Sequence, residues 1–207
     1  MSSDAQALPA VLRELLDAGS PASPALQRIL DDYARFHLVL VVLGGLLVVA
    51  LVAATVVALR RGLRGLALVG CGVTLLVALV VAANLSNVVD PRHGLAAGLG
   101  MLGHAPRGSH RAVLDHAFVT WLRTGDGSTP PAVQAAIDAR LAWQLPKAVV
   151  SVMLLLVAAP LSVAWWRSRR SWGVLVVSVP LCSLLAAMVV GNTQACVAPL
   201  AMTLLYG

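Results

Sequence analysis

Polar side chains end the second long apolar run of this 207-residue chain, in the stretch VAANLSNVVDPRHG at residues 81–94. Asn84, Ser86, Asn87 and Asp90 stand within seven residues of one another. Amide, hydroxyl and carboxylate groups of this kind can bind a small polar ligand. They are also expected wherever a helix leaves the hydrocarbon of a membrane, because polar groups inside it are costly. The elements that carry these residues decide between the two interpretations.

Histidines form a second group that could do chemistry. Four of the five lie close together in the sequence, at His93, His104, His110 and His116. Their spacings are 11, 6 and 6 residues, so no two stand on one helical turn as paired zinc ligands often do. No HExxH motif and no neighbouring cysteine accompanies them. We predict histidines in contact with water, and a metal site is the alternative.

A nucleophilic site is weakly supported. Ser109 with His110 or His116 and Asp115 offers the residue types of a catalytic triad, but no GxSxG elbow positions the serine. The three cysteines form no CxxC motif, and Cys196 could join another chain in an oxidising compartment. We therefore predict no catalytic residue, no metal and no cofactor, while an enzymatic activity stays open as an alternative.

The composition indicates a membrane protein. The chain is 59% hydrophobic and 12% charged, whereas a soluble domain has about 45–50% apolar and about 25% charged residues. A membrane-spanning helix needs about 20 apolar residues. Four uncharged runs approach or reach that length, at residues 38–59, 66–86, 148–166 and 173–192. The predicted fold is an all-α integral membrane protein with four transmembrane helices.

Arginines predict the orientation. Six of them lie in the two turns at residues 60–65 and 167–172, with no acidic residue, and the positive-inside rule assigns such turns to the cytoplasm. The segments 1–37, 87–147 and 193–207 would then be extracytoplasmic, together with both termini. We expect the plasma membrane of a bacterium. The formal charge of +6 is explained by these turns, so the expected partner is the lipid bilayer and not nucleic acid.

The N-terminal segment 1–37 is predicted to contain two helices. The first has an apolar face made of Val11, Leu12, Leu15 and Leu16. Ser23 is a suitable N-cap for the second, with Pro24 at its first position. Helical spacing of apolar residues continues from there into the first span, so one helix should run to about Leu59.

The middle segment 87–147 is predicted to hold two short helices. Residues 90–109 contain five glycines and two prolines, which favours an irregular connection. The first short helix follows it and pairs Arg111 with Asp115 at i,i+4. The second begins at the two prolines of residues 130–131. Packed on the extended first helix, these helices would form a small extracytoplasmic cap. The apolar C-terminal tail at residues 193–207 would lie along the membrane interface or against this cap.

The depth of each residue in its helix predicts a polar outer rim. If the second span begins at about Gly65, Asn84 lies roughly 28 Å further along the axis, and Asn192 is equally deep in the fourth span. His37 directly precedes the first span, and Asp90 follows the second. His37, Asn84, Asp90 and Asn192 are therefore the candidate ligand-binding residues.

No Asp, Glu, Lys, Arg or His lies well inside a predicted span, so nothing marks a route for ions or protons. We expect an accessory, scaffold or sensor subunit that acts through the cap, with a protein partner or as a homo-oligomer. One alternative is a small-ligand-binding protein or enzyme that uses the outer rim and the His-rich segment. A second alternative is a subunit of an oligomeric transporter or channel.

Overall fold

The computed structural model describes residues 8–18, 21–102, 105–106, 108–169 and 172–206, and every regular element in them is helical. The α-helices are α1 Leu8–Asp17, α2 Pro24–Arg60, α3 Arg64–Val89, α4 Pro91–Gly98, α5 His110–Thr124, α6 Pro131–Arg169, α7 Trp172–Val197 and α8 Pro199–Tyr206. The helices α2, α3, α6 and α7 are long and apolar enough to cross a membrane. The prediction of an all-helical chain with four such helices is confirmed.

Local capping fixes where the helices begin and end. The Ser23 hydroxyl accepts a hydrogen bond of 3.3 Å from the Leu26 N–H, so the predicted N-cap of α2 is confirmed. The turn between α2 and α3 passes through Gly62, whose φ of 72° is easily adopted only by glycine. Gly125 ends α5 in the same left-handed conformation, with φ of 68°.

The four long helices form two antiparallel hairpins. In one α2 packs along α3, in the other α6 packs along α7, and contacts between α2 and α7 join the two. The order across the molecule is therefore α3, α2, α7, α6. Most large apolar side chains of these helices are exposed, among them Leu68 at 76% and Leu46 at 64%. Such a surface is unfavourable in water and suits the hydrocarbon of a bilayer.

The remaining helices pack together at one end of this row. Helices α1, α4, α5 and α8 surround the first turns of α2 and α6, and we call this assembly the end cluster. It contains most of the fully buried large side chains of the described residues, including Leu12, Leu26, Ile29, Leu95, Phe118, Trp121, Leu122 and Leu204. The apolar faces predicted for the outer segments are thus buried against one another.

The connection predicted to be irregular at residues 90–109 contains helix α4. Pro91 follows the end of α3 and occupies the first turn of α4, where a missing N–H costs nothing. The Asp90 carboxylate accepts a hydrogen bond of 3.0 Å from the His93 N–H and caps the new helix. Asp90 followed by Pro91 is a strong signal for the start of a helix, but the many glycines of the segment favoured the prediction of an irregular connection.

Two further boundaries differ from the predicted layout. The second short helix of the middle segment is not separate, because α6 runs without a break from Pro131 through Pro146 into its apolar part. Helix α7 runs to Val197, beyond the predicted end of the fourth span at residue 192, and the rest of the apolar tail forms helix α8, which is largely buried in the end cluster.

Candidate functional site

His37 and Asn84, two of the predicted rim residues, are in direct contact. The antiparallel hairpin of α2 and α3 brings them to the same level, with His37 Nδ1 at 2.7 Å from Asn84 Oδ1. The amide nitrogen of Asn84 donates to the Val80 carbonyl at 2.8 Å, so its oxygen is the acceptor that faces the imidazole. His37 Nδ1 therefore carries the hydrogen. The pair fastens α2 to α3 where both helices emerge from their apolar segments.

Asn87 and Tyr33 also lie against the His37 imidazole, and Gly94 packs against both of them. Asn87 Nδ2 lies 3.4 Å from His37 Nδ1, and the Tyr33 ring meets the imidazole edge-on with centroids 4.5 Å apart. Gly94 of α4 comes so close that a Cβ atom there would overlap Asn87 Oδ1 and stand 3.2 Å from the Tyr33 ring. The His37 cluster, formed by His37, Asn84, Asn87, Tyr33 and Gly94, thus joins α2, α3 and α4.

Asp90 and Asn192 bond to other parts of the chain. The exposed Asp90 side chain caps α4 through the His93 N–H. Asn192 Nδ2 donates at 3.3 Å to the hydroxyl of the buried Ser151, which itself donates to the Lys147 carbonyl at 2.6 Å. Asn192 therefore joins α7 to α6. The structure brings the first two rim residues together and gives the other two separate partners.

The histidine-rich segment does not converge on one point in the described residues. Within those residues, no group of three or more His, Cys, Asp or Glu side chains could hold a metal ion. His93 lies on α4, while His110 and His116 lie on α5, and His104 is outside the described residues. The Ser109 hydroxyl, the candidate nucleophile, accepts a hydrogen bond of 3.2 Å from the Ala112 N–H as the N-cap of α5.

Sequence reasoning missed the buried acid Asp32. Its carboxylate accepts a hydrogen bond of 2.7 Å from the Ala201 N–H in the first turn of α8. Asp32 lies before the apolar segment of α2, in the end cluster, and burial raises the pKa of its carboxyl group, although the bond from Ala201 opposes that shift. The sequence does contain an indication that Asp32 is buried, because Asp32 shares a helical face with the apolar residues Ile29 and Tyr33.

Two arginines hold the opposite end of α8. Arg111 Nη2 donates to the Leu204 carbonyl at 2.6 Å, and Arg140 Nη2 donates to the Tyr206 carbonyl at 3.2 Å. The last carbonyls of a helix have no partner inside it and carry a partial negative charge. Helix α8 is thus bonded to an acid at its N-terminus and to bases at its C-terminus.

Comparisons of this chain with protein-family models, with curated proteins and with solved structures find no match. Its function must therefore be inferred from the residues and their geometry. Four apolar helices suggest a membrane protein with several spans, and the polar groups at the emerging ends of these helices are its best-defined chemical feature.

Proposed function

We propose that this chain is an integral membrane protein whose end cluster lies outside the cytoplasm and serves as an accessory or scaffold surface for a partner protein or a second copy. Its long helices expose the apolar side chains that a bilayer would cover. The end cluster has a buried core of its own and an exposed, mostly polar outer surface, for example at Glu14, Gln27 and Arg123.

One observation carries the proposal: each rim residue already bonds to another part of the chain. His37 bonds to Asn84, Asp90 caps α4, and Asn192 bonds to Ser151. A catalytic or ligand site needs polar groups that converge on open space. Here His37 and Asn84 join α2 to α3, Asn192 joins α7 to α6, and Asp90 caps α4, which favours a structural role for the rim and leaves the outer surface of the end cluster for interaction.

The distribution of arginines supports the orientation. Arg60, Arg61 and Arg64 lie in the turn between α2 and α3, and Arg167 and Arg169 lie at the end of α6. Both turns are at the end of the hairpins opposite to the end cluster, and basic residues beside spans favour the cytoplasmic side. The end cluster would then be extracytoplasmic.

Cysteine labelling tests this topology. In a variant with Cys71, Cys182 and Cys196 replaced by serine, one new cysteine is placed at Ser128 or at Ser168. Both serines are exposed, one in the end cluster and one at the basic end. We expect a membrane-impermeant maleimide to label S128C on intact cells and S168C only after permeabilisation. The reverse pattern would overturn the orientation.

Site-specific photo-crosslinking tests the scaffold role. A photoreactive amino acid is introduced at Glu14 or Arg123 on the end cluster, and at Leu76, which is exposed on the apolar part of α3, as the control. We expect discrete protein adducts in native membranes from the first two positions and none from Leu76. Cells that yield no protein adduct from either end-cluster position would contradict the proposal.

A second candidate function is the binding of a small polar ligand at the rim. It is favoured by His37 Nε2, which has no hydrogen-bond partner among the described residues. A panel of small carboxylic acids, sugars and amines would be screened for a rise in unfolding temperature. A rise that is lost in H37A and kept in H110A, whose histidine is exposed on α5, would support this candidate. A simultaneous alanine variant of His37, Asn84, Asp90 and Asn192 with an unchanged response would end it.

A further inference from the structure

A groove of about 600 Å³ lies between α5 and α6, and α8 forms its floor at Thr203. Val113 and Leu114 line its α5 side, and alanines such as Ala136 and Ala139 line its α6 side. These small side chains leave room for a ligand with apolar parts. The polar lining residues His110, Arg140, Gln144 and Thr203 make the groove amphiphilic.

The groove has one end close to the apolar part of α6, at the level where that part begins. Trp143 lines that end and is 67% exposed. The Lys147 ammonium group stands 4.0 Å from the centre of the Trp143 ring, just before the apolar residues 148–166. Exposed tryptophan and lysine in this arrangement are typical of the headgroup region of a bilayer.

Arg140 supplies a positive charge with spare donors. It is partly buried, and its bond to the Tyr206 carbonyl uses one of its five N–H groups. Burial and the nearby charge of Arg111 lower the pKa of the Arg140 guanidinium. Arg111 itself pairs with Asp115 at 2.8 Å, and no salt bridge joins Arg140 to a carboxylate in the described part of the chain. An anion at Arg140 would offset this local excess of positive charge.

Gln144 supplies an unpaired acceptor one helical turn further along. Its Oε1 atom is buried and has no hydrogen-bond donor among the residues that the structure describes. A buried acceptor without a donor is unfavourable by about 1–3 kcal/mol. Residues four apart lie on the same helical face, so Arg140 and Gln144 together suit a ligand that carries an anionic oxygen and an N–H or O–H group.

We propose that this groove binds a membrane glycerophospholipid whose phosphate bonds to Arg140 and whose headgroup N–H or O–H donates to Gln144 Oε1. An acyl chain would leave past Trp143 into the bilayer along the apolar part of α6. The inference rests on the proposed membrane insertion. It adds a chemical selectivity, because phosphatidylethanolamine has N–H donors in its headgroup and phosphatidylcholine, equally zwitterionic, has none.

Unfolding of the delipidated full chain in detergent tests the selectivity. Phosphatidylethanolamine or phosphatidylcholine is added in mixed micelles to the wild type, to Q144M and to Q134M. Gln134 is the matched control, since it is on the same helix but its amide bonds to Asp138 at 2.9 Å, outside the groove. The midpoint of thermal unfolding is followed by tryptophan fluorescence, and lipid affinity is taken from its dependence on lipid concentration.

We expect phosphatidylethanolamine to bind the wild type and Q134M about five- to tenfold more tightly than phosphatidylcholine, as one hydrogen bond implies. Q144M should lose this preference and, without lipid, unfold at a higher temperature than the wild type, because its unpaired acceptor is gone. Equal affinities in the wild type, or a preference that persists in Q144M, would overturn the proposal.

Two further experiments test whether the ligand is a lipid and whether the chain is inserted in the membrane. Water-soluble glycerophosphoethanolamine has the same headgroup without acyl chains, and stabilisation equal to that by phosphatidylethanolamine would assign the groove to a soluble phosphodiester and overturn the lipid assignment. Carbonate washing of the membranes tests insertion by itself. A chain recovered in the supernatant would contradict the proposed function, whereas a chain retained in the membrane without lipid preference would contradict this inference alone.

Discussion

The Asp32 carboxylate accepts a hydrogen bond of 2.7 Å from the backbone N–H of Ala201, a residue 169 positions later in the chain. Both residues are buried. The first N–H groups of a helix have no partner within it, and Ala198, which precedes Pro199 at the start of α8, offers no side-chain acceptor. The acid of α2 thus caps α8 from outside and fixes the position of the C-terminal helix.

Substitutions at Asp32 should separate the hydrogen bond from the charge. D32L leaves the Ala201 N–H buried without an acceptor and should lower the free energy of unfolding by about 1–3 kcal/mol. D32N keeps an acceptor and removes the buried charge, so it should be at least as stable as the wild type at neutral pH. Thermal unfolding in lipid nanodiscs measures both. A D32N protein as unstable as D32L would show that the charge is required.

The pH dependence of stability should report the same carboxyl group. Burial raises the folded-state pKa of Asp32 above the ordinary value of about 3.9. The folded chain then holds the proton more firmly than the unfolded chain, so this contribution is full below the ordinary pKa and is lost as the pH rises through the raised pKa. Relative to D32N, the wild type should lose stability over that interval. Parallel pH profiles of the two proteins would contradict the assignment.

The contact between His37 and Asn84 should appear as a coupling energy. A double-mutant cycle with H37F and N84L should give about 0.5–1.5 kcal/mol, since the two residues share one hydrogen bond. The same cycle with H116F and N84L is the control, because His116 is exposed on α5, away from α3. Coupling near zero in the first cycle, or equal coupling in both, would contradict the observed bond.

Gly94 should not tolerate a side chain. A Cβ atom there would overlap Asn87 Oδ1 and crowd the Tyr33 ring, so G94A should be destabilised by about 1–3 kcal/mol as an overpacked core position. Gly100 has no atom within 4 Å of the corresponding Cβ position, and G100A serves as the matched control with an unchanged unfolding midpoint. Recovery of part of the stability in G94A with N87A would identify Asn87 as the obstacle.

The parts of the fold that can be predicted from the sequence depend on neighbouring residues. The cap of α2 by Ser23 and the pair of Arg111 with Asp115 are predictable because both interactions lie within about one helical turn. The rise of about 1.5 Å per residue places Asn84 at the level of the start of the first span. Length and apolar content are sufficient for the four long helices.

What the sequence could not provide is the rotation of each helix about its axis and the pairing of distant segments. Depth alone puts Asn192 on the same rim as His37, but its side chain turns to Ser151 on α6. The bond from Ala201 to Asp32 joins opposite ends of the chain. The absence of a hydrogen-bond donor for Gln144 Oε1 among the described residues depends on how α6 packs against its neighbours.

Substitutions at the adjacent glycines Gly44 and Gly45 test most directly which face of α2 meets α3. Small residues let membrane helices approach closely, and both residues fit that role by sequence. In the structure a Cβ at Gly44 would stand 2.6 Å from Val81 Cγ2 of α3, whereas at Gly45 it would meet nothing within 4 Å. G44L should therefore separate α2 from α3 and lower resistance to unfolding by sodium dodecyl sulfate, while G45L should leave it unchanged. Equal effects of the two substitutions would contradict this arrangement, in which Gly44 lies against α3 and Gly45 does not.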